Sequence, residues 1–304
     1  MKNAIVTGAN GFLGSRLCKR LLELGVKVTA VVHGDHDDQI SEMHGIEIIK
    51  DDGDLSSVSE SVKDRKIDCF FHFAWVGSAG DLRGDHKVQL KNIENTCRAV
   101  EVCEEIGCRR FVYASSIMEY EIEKDMAAEE DIGINSIYSS AKNSADQMAR
   151  ILADSKGISY IRGIISNIYG PGEISPRFVN TTIRKMLKKE HCSFSPGEQT
   201  YDFIYIDDAI EEFILIGEKG KKNRAYYIGS QEPKPLKEFI RIIGRVVDEE
   251  AALGIGEIPF SGKGLDYGWF DVYAVERDTG YKQKISFEEG IRKTKDWIKE
   301  QEQK

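Results

Sequence analysis

The sequence predicts an α/β fold, a doubly wound parallel sheet followed by a smaller, discontinuous C-terminal lobe. Three observations carry that expectation. Short apolar runs lack strict alternation, as strands covered on both faces do. Helical patterns with one apolar face separate those runs. A glycine-rich turn joins the first strand directly to the first helix.

Ala4–Thr7 reads as the first strand. The helix from Phe12 to about Leu24 places Leu13, Leu17, Leu21 and Leu24 on one face, and Gly25 ends it. Strands follow at Val26–Val32, Ile46–Lys50 and Asp68–Ala74. A long helix over Asp85–Ile106 stops at Gly107 and leads into strand Arg110–Ser115. A second long helix, about Ser136–Ser155, ends near Gly157 before strand Ile158–Ile164. Strand and helix alternating in this way build a doubly wound sheet through right-handed crossovers.

After Asn167 the pattern breaks. Gly170-Pro171-Gly172, a basic helix Arg177–Lys189 and Ser195-Pro196-Gly197 precede a short strand Asp202–Ile206 and helix Asp207–Glu218. Pro233 and Pro235 introduce further helix and loop, and the run Lys219–Arg224 reads as a solvated turn. The expected division is a dinucleotide-binding domain at 1–168, with 200–228 returning to it, and a substrate lobe from 169–199 and 229–304.

A chain of 304 residues that is 41% hydrophobic can build a sizeable core without metal or disulfide. Its net charge of −9 argues against general nucleic-acid binding, which wants a basic face. Cys18, Cys69, Cys97, Cys103, Cys108 and Cys192 show neither C-x-x-C pairing nor histidines at metal-ligand spacing, so reduced structural cysteines and no metal are expected. The N-terminus runs straight into a strand and no apolar stretch reaches membrane-spanning length. A soluble, cytoplasmic protein is the expectation.

Thr7-Gly8-Ala9-Asn10-Gly11-Phe12-Leu13-Gly14 sets three glycines at G-x-x-G-x-x-G spacing between strand and helix. A dinucleotide pyrophosphate needs backbone N–H groups at a helix N-terminus, here those around Gly11, Phe12 and Leu13, and glycine allows the close approach. Later strand ends extend this Rossmann-like site. Asp54 and Leu55 lie where an adenine ring would rest, and Phe73-Ala74 would pass beneath the ribose and nicotinamide. At the end of the second strand His33 takes the place where NAD enzymes usually put a carboxylate, with Asp35 two residues on. An imidazole tolerates a 2′-phosphate, which favours NADP over NAD.

Reversible oxidation of a carbinol needs a group that gives and takes the hydroxyl proton. A phenol with a pKa of about 10 serves near neutral pH only if positive charge stabilises phenolate, and about three units of lowering corresponds to about 4 kcal/mol. A lysine four residues along a helix shares the tyrosine's face. Two Y-x-x-x-K matches occur, Tyr120 to Lys124 and Tyr138 to Lys142. Tyr138 opens a helical run, whereas Tyr120 lies past a strand among Glu119, Glu121 and Glu123, whose charges oppose phenolate. Tyr138 and Lys142 are therefore the catalytic candidates, and both also border the cofactor; Tyr120 lines the substrate pocket or simply packs. Ser116 ends the fifth strand at the sheet edge that carries ligands, and Ser115 should point to the other side.

Glycine turn, strand-end serine and helical Y-x-x-x-K, in that order, resemble the extended short-chain dehydrogenase/reductase family. So do Asn167-Ile168-Tyr169-Gly170-Pro171-Gly172, Tyr201-Asp202-Phe203-Ile204-Tyr205-Ile206-Asp207-Asp208 and the closing Asp278-Thr279-Gly280-Tyr281 with Phe287-Glu288-Glu289-Gly290-Ile291 and Trp297. The resemblance is to members acting on nucleotide-diphosphate sugars: 4-epimerases, dehydratases and 4-ketoreductases. It implies that Asn167 contacts the diphosphate region, that Asn92 supports the site, and that the two long helices make a homodimer.

The departures from that pattern narrow the reaction. Tyr201 stands where such members carry an arginine for the diphosphate, and near Lys263 a second usual arginine is absent. Lys263 offers charge without a bidentate fork, while Arg177 and Arg184 are candidate replacements or a solvated helix face. Ser116 is followed by Ile117, Met118 and Glu119 rather than the Asp-Glu pair of the dehydratases. Trp75 replaces a usually small residue and reshapes the pocket. The sequence thus points to 4-keto-sugar reduction, with nucleotide-sugar 4-epimerisation as the alternative. A non-catalytic, dinucleotide-sensing regulator is the alternative of another class, disfavoured because both tyrosine and lysine are kept.

Overall fold

The computed structural model describes residues 1–34, 39–51, 53–122, 133–134, 136–260 and 264–303. Asp35, Glu123, Lys124 and Lys263 lie outside the described residues. The chain forms two compact units. The first comprises Met1–Ile165, Ile210–Tyr227 and Ala274–Tyr281; the second comprises Ser166–Ala209, Ile228–Tyr273 and Lys282–Lys304.

The first unit alternates β1 (Asn3–Thr7), α1 (Phe12–Glu23), β2 (Lys27–His33), β3 (Glu47–Asp51), α2 (Ser56–Val62), β4 (Cys69–His72), α3 (His86–Glu105), β5 (Arg110–Ser116), α4 (Ser136–Ser155) and β6 (Ser159–Ile165). With β11 (Ala225–Ile228) these strands form a seven-stranded sheet in the order β11-β6-β5-β4-β1-β2-β3. The pairings from β3 to β6 are all parallel. Arg162 N donates to Arg224 O and Ser166 N to Ile228 O, which runs β11 in the same direction.

Register explains the core. Phe70 on β4 pairs with Phe111 on β5, which pairs with Tyr160 on β6. The three rings stack at 5.4 and 5.6 Å, and each such pair adds about 0.5–1.5 kcal/mol beyond its buried area. Cys103, Cys108, Ala145, Ala149 and Ala153 pack in the same cluster, where the cysteines act as small hydrophobes. All six cysteines are free thiols. Among the described residues, no helix is long and apolar enough to cross a membrane.

The second unit holds β7 (Asn167–Tyr169), α5 (Phe178–Leu187), β8 (Cys192–Phe194), β9 (Thr200–Tyr201), β10 (Phe203–Tyr205), β12 (Lys234–Pro235), α7 (Leu236–Val247), β13 (Leu253–Ile255) and α9 (Phe287–Glu302). Its core is aromatic: Phe239 meets Phe287 at 4.7 Å and Phe203 at 4.9 Å, and Tyr169 meets Phe287 at 5.1 Å.

Two stretches group differently from the division expected from sequence. Residues 200–209 belong to the second unit, because β10 pairs with β7, and Asp208 accepts from the amides of Lys284 and Ile285 at 3.1 and 2.9 Å. The buried Asp202 likewise accepts from Ser230 N at 3.0 Å. Residues 274–281, including α8 (Ala274–Thr279), belong to the first unit, as do residues 210–219 of α6 (Ile206–Lys219). Asp278 there takes Lys221 Nζ and the Tyr226 hydroxyl, each at 2.8 Å. In both stretches a side-chain carboxylate bonds groups far away in sequence, which hydrophobic periodicity does not show.

Candidate active site

In the first unit the strand order reverses between β1 and β4, and the crevice beyond the carboxyl ends of such strands is where ligands bind in this architecture. The turn from β1 to α1 fills one side of it. Gly8 has φ +67°, and a Cβ there would lie 2.7 Å from the backbone of Phe73 and Ala74. A Cβ at Gly14 would overlap the Gly8 carbonyl. Gly11 caps α1 with an extended backbone and no side chain caps that first turn. The N–H groups of residues around Phe12 and Leu13 are thus left for an outside acceptor, and the helix dipole favours an anion there. A cradle that Cβ atoms would close fits a dinucleotide pyrophosphate.

The flanking strand ends are held by local acceptors. His33, exposed, ends β2 in register with Asp51. Asp51 is buried and accepts from Gly53 N at 2.7 Å, Leu55 N at 2.8 Å and Ser57 Oγ at 2.6 Å. Leu55 is thereby fixed in a left-handed conformation, φ +56°, with its side chain buried. Asp54 is exposed and accepts from Ser56 N at 3.0 Å, a bond that lowers its pKa.

Beneath the β4 end runs a polar chain. Ala74 N donates to Thr7 Oγ1 at 3.4 Å, and Thr7 Oγ1 lies 2.8 Å from His72 Nδ1. His72 Nε2 lies 3.2 Å from Thr96 Oγ1, which donates to Asn92 O at 2.8 Å. This direction of donation assigns the proton to Nε2 of a neutral ring. Burial, reinforced by the Lys142 charge, holds His72 down at about 3, so it stays neutral. Phe73 packs edge-on against Phe213 at 4.7 Å.

Tyr138 and Lys142 lie one turn apart near the start of α4, both buried. Lys142 Nζ donates to Ala114 O at 2.8 Å and sits over the rings of Trp75 and Tyr113 at 3.9 and 4.8 Å. Burial pushes the ammonium down to about 8, while Glu119 and Asp146 pull it up. Asp146 is itself engaged, accepting from the Tyr160 hydroxyl at 3.0 Å and from Arg162 at 2.6 Å. The Tyr138 ring has Trp75 edge-on at 6.0 Å and the Arg83 guanidinium over its face at 4.3 Å. The Arg83 guanidinium puts positive charge over the phenol ring, and positive charge near a phenol is the condition that phenolate formation requires.

At the end of β5, Ser115 is buried near the Glu119 carboxyl, whereas Ser116 is partly exposed. Ser116 Oγ accepts from Met118 N at 3.2 Å, and Glu119 Oε1 accepts from Ser116 N at 3.2 Å, a capping box for the turn Ile117–Tyr120. In sequence Glu119 is a charge beside Tyr120. The structure buries it, and burial with the nearby Asp146 charge pushes its carboxyl up to about 8, towards the neutral form. Tyr120 ends that turn, half-buried.

The loop after β4 is held from α3. Gln89 Nε2 donates to the carbonyls of Gly77 and Leu82 at 3.1 and 3.0 Å, and its Oε1 accepts from Trp75 Nε1 at 3.0 Å. Asn92 Oδ1 accepts from Val76 N at 3.0 Å, and its Nδ2 donates to Val76 O at 2.8 Å. The family resemblance implies a supporting role for Asn92, and none for Gln89 or Arg83. An amide three residues before Asn92 on one helix face was the available signal for Gln89. Arg83 sits in a short turn, Asp81–Gly84, with no periodicity to flag it.

The remaining candidates belong to the second unit. Asn167 Nδ2 donates to Asp202 O at 3.0 Å, and Tyr201 stacks on Phe203 at 5.7 Å. Arg177 precedes α5, is exposed, and pairs with Glu173 at 3.2 Å. Arg184 lies over the Trp297 ring at 5.9 Å with a long contact to Glu173 O, so its charge is used in packing. Among the described residues, no group of three or more His, Cys, Asp or Glu is placed to hold a metal ion.

The chain resembles known proteins in sequence and in fold. The chain is 25% identical to an uncharacterised protein of Methanocaldococcus jannaschii, over 98% of this chain and 97% of the other. It is 25% identical to a trifunctional UDP-glucose 4,6-dehydratase/UDP-4-keto-6-deoxy-D-glucose 3,5-epimerase/UDP-4-keto-L-rhamnose-reductase of Arabidopsis thaliana, over 97% of this chain and 47% of that protein. In fold it is similar to a UDP-N-acetylglucosamine 4-epimerase from Methanobrevibacter ruminantium solved with UDP-N-acetylmuramic acid, at a TM-score of 0.82 and 23% identity over 99% of each chain. It is similar also to Bordetella bronchiseptica WbmF solved with NAD+ and UDP, at a TM-score of 0.81 and 23% identity over 99% of this chain and 93% of that one. Residues 4–229 match the NAD dependent epimerase/dehydratase family, so the stretch carrying the glycine cradle, the strand-end serine and the tyrosine–lysine pair places the chain in that family, as an enzyme of the short-chain dehydrogenase/reductase type.

Proposed function

We propose that the protein is an NAD(P)-dependent oxidoreductase that reduces the 4-keto group of a nucleotide-diphosphate sugar. One observation carries the reading: a buried phenol, Tyr138, flanked by the Arg83 guanidinium and, one helical turn on, the Lys142 ammonium. Tyr138 delivers its proton to the substrate oxygen, and the two cations stabilise the phenolate that remains. Ser116 Oγ accepts from Met118 N, which leaves its own proton to donate to the same substrate oxygen. A nicotinamide dinucleotide supplies the reducing equivalents.

Gly8, Gly11, Phe12, Leu13 and Gly14 would hold its pyrophosphate. Asp54 and Leu55 would border the adenine, His33 the adenosine ribose, and Phe73, Ala74, Tyr138 and Lys142 the nicotinamide end. His33, in place of a carboxylate, favours NADP. Asn167, Tyr201 and Arg177 would contact the substrate's diphosphate, and Trp75 and Tyr120 its sugar. The side chains after Ser116, Ile117 and Met118, supply no acid/base pair for dehydration.

The second reading is a 4-epimerase, favoured by the likeness of fold to solved epimerases. One experiment separates the two. Purified protein is incubated with NADPH or NADH and a panel of 4-keto nucleotide sugars, and separately with NAD+ and UDP-sugars. Stoichiometric loss of reduced-cofactor absorbance with a keto sugar supports reduction. Interconversion of UDP-sugars without net cofactor change replaces it with epimerisation, and neither reaction across the panel overturns both.

A further inference from the structure

The loop after β4 reaches the tyrosine–lysine pair through one side chain, Trp75. Lys142 Nζ lies 3.9 Å from the centre of its ring, and Tyr138 meets the same indole edge-on at 6.0 Å and 82°. The indole is not free to turn. Its Nε1 donates to Gln89 Oε1 at 3.0 Å, and Gln89, 1% exposed, is itself pinned to the carbonyls of Gly77 and Leu82. Asn92 Nδ2 also donates to Gln89 Oε1, at 3.3 Å. A buried ammonium needs acceptors for three protons. Ala114 O takes one at 2.8 Å. A tryptophan face is the strongest side-chain π partner for a cation, and the attraction grows when water is excluded.

We propose that Trp75, locked by Gln89, is a positioning residue for Lys142: its indole face keeps the ammonium charged and held beside Tyr138. Every element packed around that ammonium contributes to its balance. Burial drives Lys142 towards the neutral amine, down to about 8. Against it stand Glu119 from the turn after β5 and Asp146 from α4, the latter shared with Arg162 of β6. His72 of β4 faces it as a neutral ring, and the Tyr113 ring of β5 lies at 4.8 Å. Glu119 is itself pushed towards its neutral form, so the carboxylates alone hold the charge weakly. The indole and the Ala114 carbonyl are the parts of this balance that do not titrate. The consequence for catalysis rests on the role proposed for Lys142 above; the contact itself does not.

The test is therefore made without dinucleotide or substrate. The Lys142 side chain is titrated by NMR in full-length protein carrying isotope-labelled lysine, its signal assigned by its loss in Lys142→Arg. Trp75→Leu is expected to lower the Lys142 pKa by about half to one unit, about 0.7–1.4 kcal/mol. Trp75→Phe, which keeps a weaker π face, should lower it by less than half as much, and Gln89→Leu, which frees the ring, should also lower it. An unchanged pKa in Trp75→Leu, or equal falls in the Phe and Leu variants, overturns the assignment. If Trp75→Leu does not fold, unchanged values in both Trp75→Phe and Gln89→Leu overturn it. The expected titration in a protein that binds no dinucleotide would leave this contact standing and remove the proposed function alone.

Discussion

The two ends of the first unit's crevice are built on opposite plans. At the β1–α1 turn the working groups are backbone, and what matters is that side chains are missing: Gly8, Gly11 and Gly14 leave room that any Cβ would take. At the Tyr138–Lys142 end the working groups are side chains, held by the Ala114 carbonyl of β5, by Trp75 in the loop after β4 and by Arg83 in the turn before α3, with Gln89 of α3 fixing Trp75. An anion can be held by bare backbone because the helix supplies its dipole. A proton-transfer group cannot, because its pKa depends on every neighbour.

If the comparison holds, the largest effect comes from the reacting group. Tyr138→Phe should lower turnover by about 10²–10⁴-fold in the reaction identified by the substrate panel, while leaving dinucleotide affinity within a few-fold. Turnover near wild type would move the proton-transfer role elsewhere. Next comes the bare-backbone end. Gly8→Ala adds a Cβ against the Phe73 and Ala74 backbone at φ +67°, strain of about 1–3 kcal/mol. Its thermal midpoint should fall and its dinucleotide affinity should weaken at least tenfold by calorimetry. The same change at Gly25, also at positive φ but with nothing near its Cβ, should cost stability and leave affinity unchanged.

The side-chain end should reveal itself through pH. The Glu119 carboxyl is raised in the fold, to about 8, so the folded protein binds a proton that the unfolded chain releases near its ordinary 4.5. That contribution is fully present below about pH 4.5 and is lost as pH rises through about 8. The thermal midpoint of Glu119→Gln should therefore change less than wild type between pH 5 and 8, by roughly 5 °C. Parallel curves would show that Glu119 is ionised in the fold. The smallest effect belongs to Arg177 in the second unit, half exposed beside the buried Glu173. Arg177→Ala should shift stability by less than about 1 kcal/mol, since Glu173 keeps the amide and hydroxyl of Ser175 as donors at 2.8 and 2.6 Å. A rise in KM of several-fold with kcat unchanged would then report a substrate contact, and no change would mark a solvated helix end.

The same contrast explains what could be read from the chain. The glycine turn, the tyrosine–lysine pair and the central strands were legible because each is a local pattern: spacing within one turn, one helix face or one apolar run. Ser116 was separable from Ser115 by strand alternation alone. Asp51, Gln89 and Arg83 were not legible, because each acquires its role from a partner brought in by the fold: the loop amides of Gly53 and Leu55, the indole of Trp75, the ring of Tyr138. The burial of Glu119 was not legible for the same reason: the Asp146 charge that raises its carboxyl and the Lys142 charge that lowers it both come from α4, which the segment around Tyr120 does not supply. The stretches 200–209 and 274–281 carry Asp202, Asp208 and Asp278, whose partners lie tens of residues away and leave no local pattern.

The most direct test of the central claim is the nucleotide content of freshly purified protein, by mass and absorbance, followed by calorimetric titration with NAD+, NADH, NADP+ and NADPH. The account predicts a nicotinamide dinucleotide either retained or taken up, with Gly8→Ala impaired in both and the phosphorylated forms bound more tightly through His33. Protein that holds none and binds none of the four at millimolar concentration would contradict it.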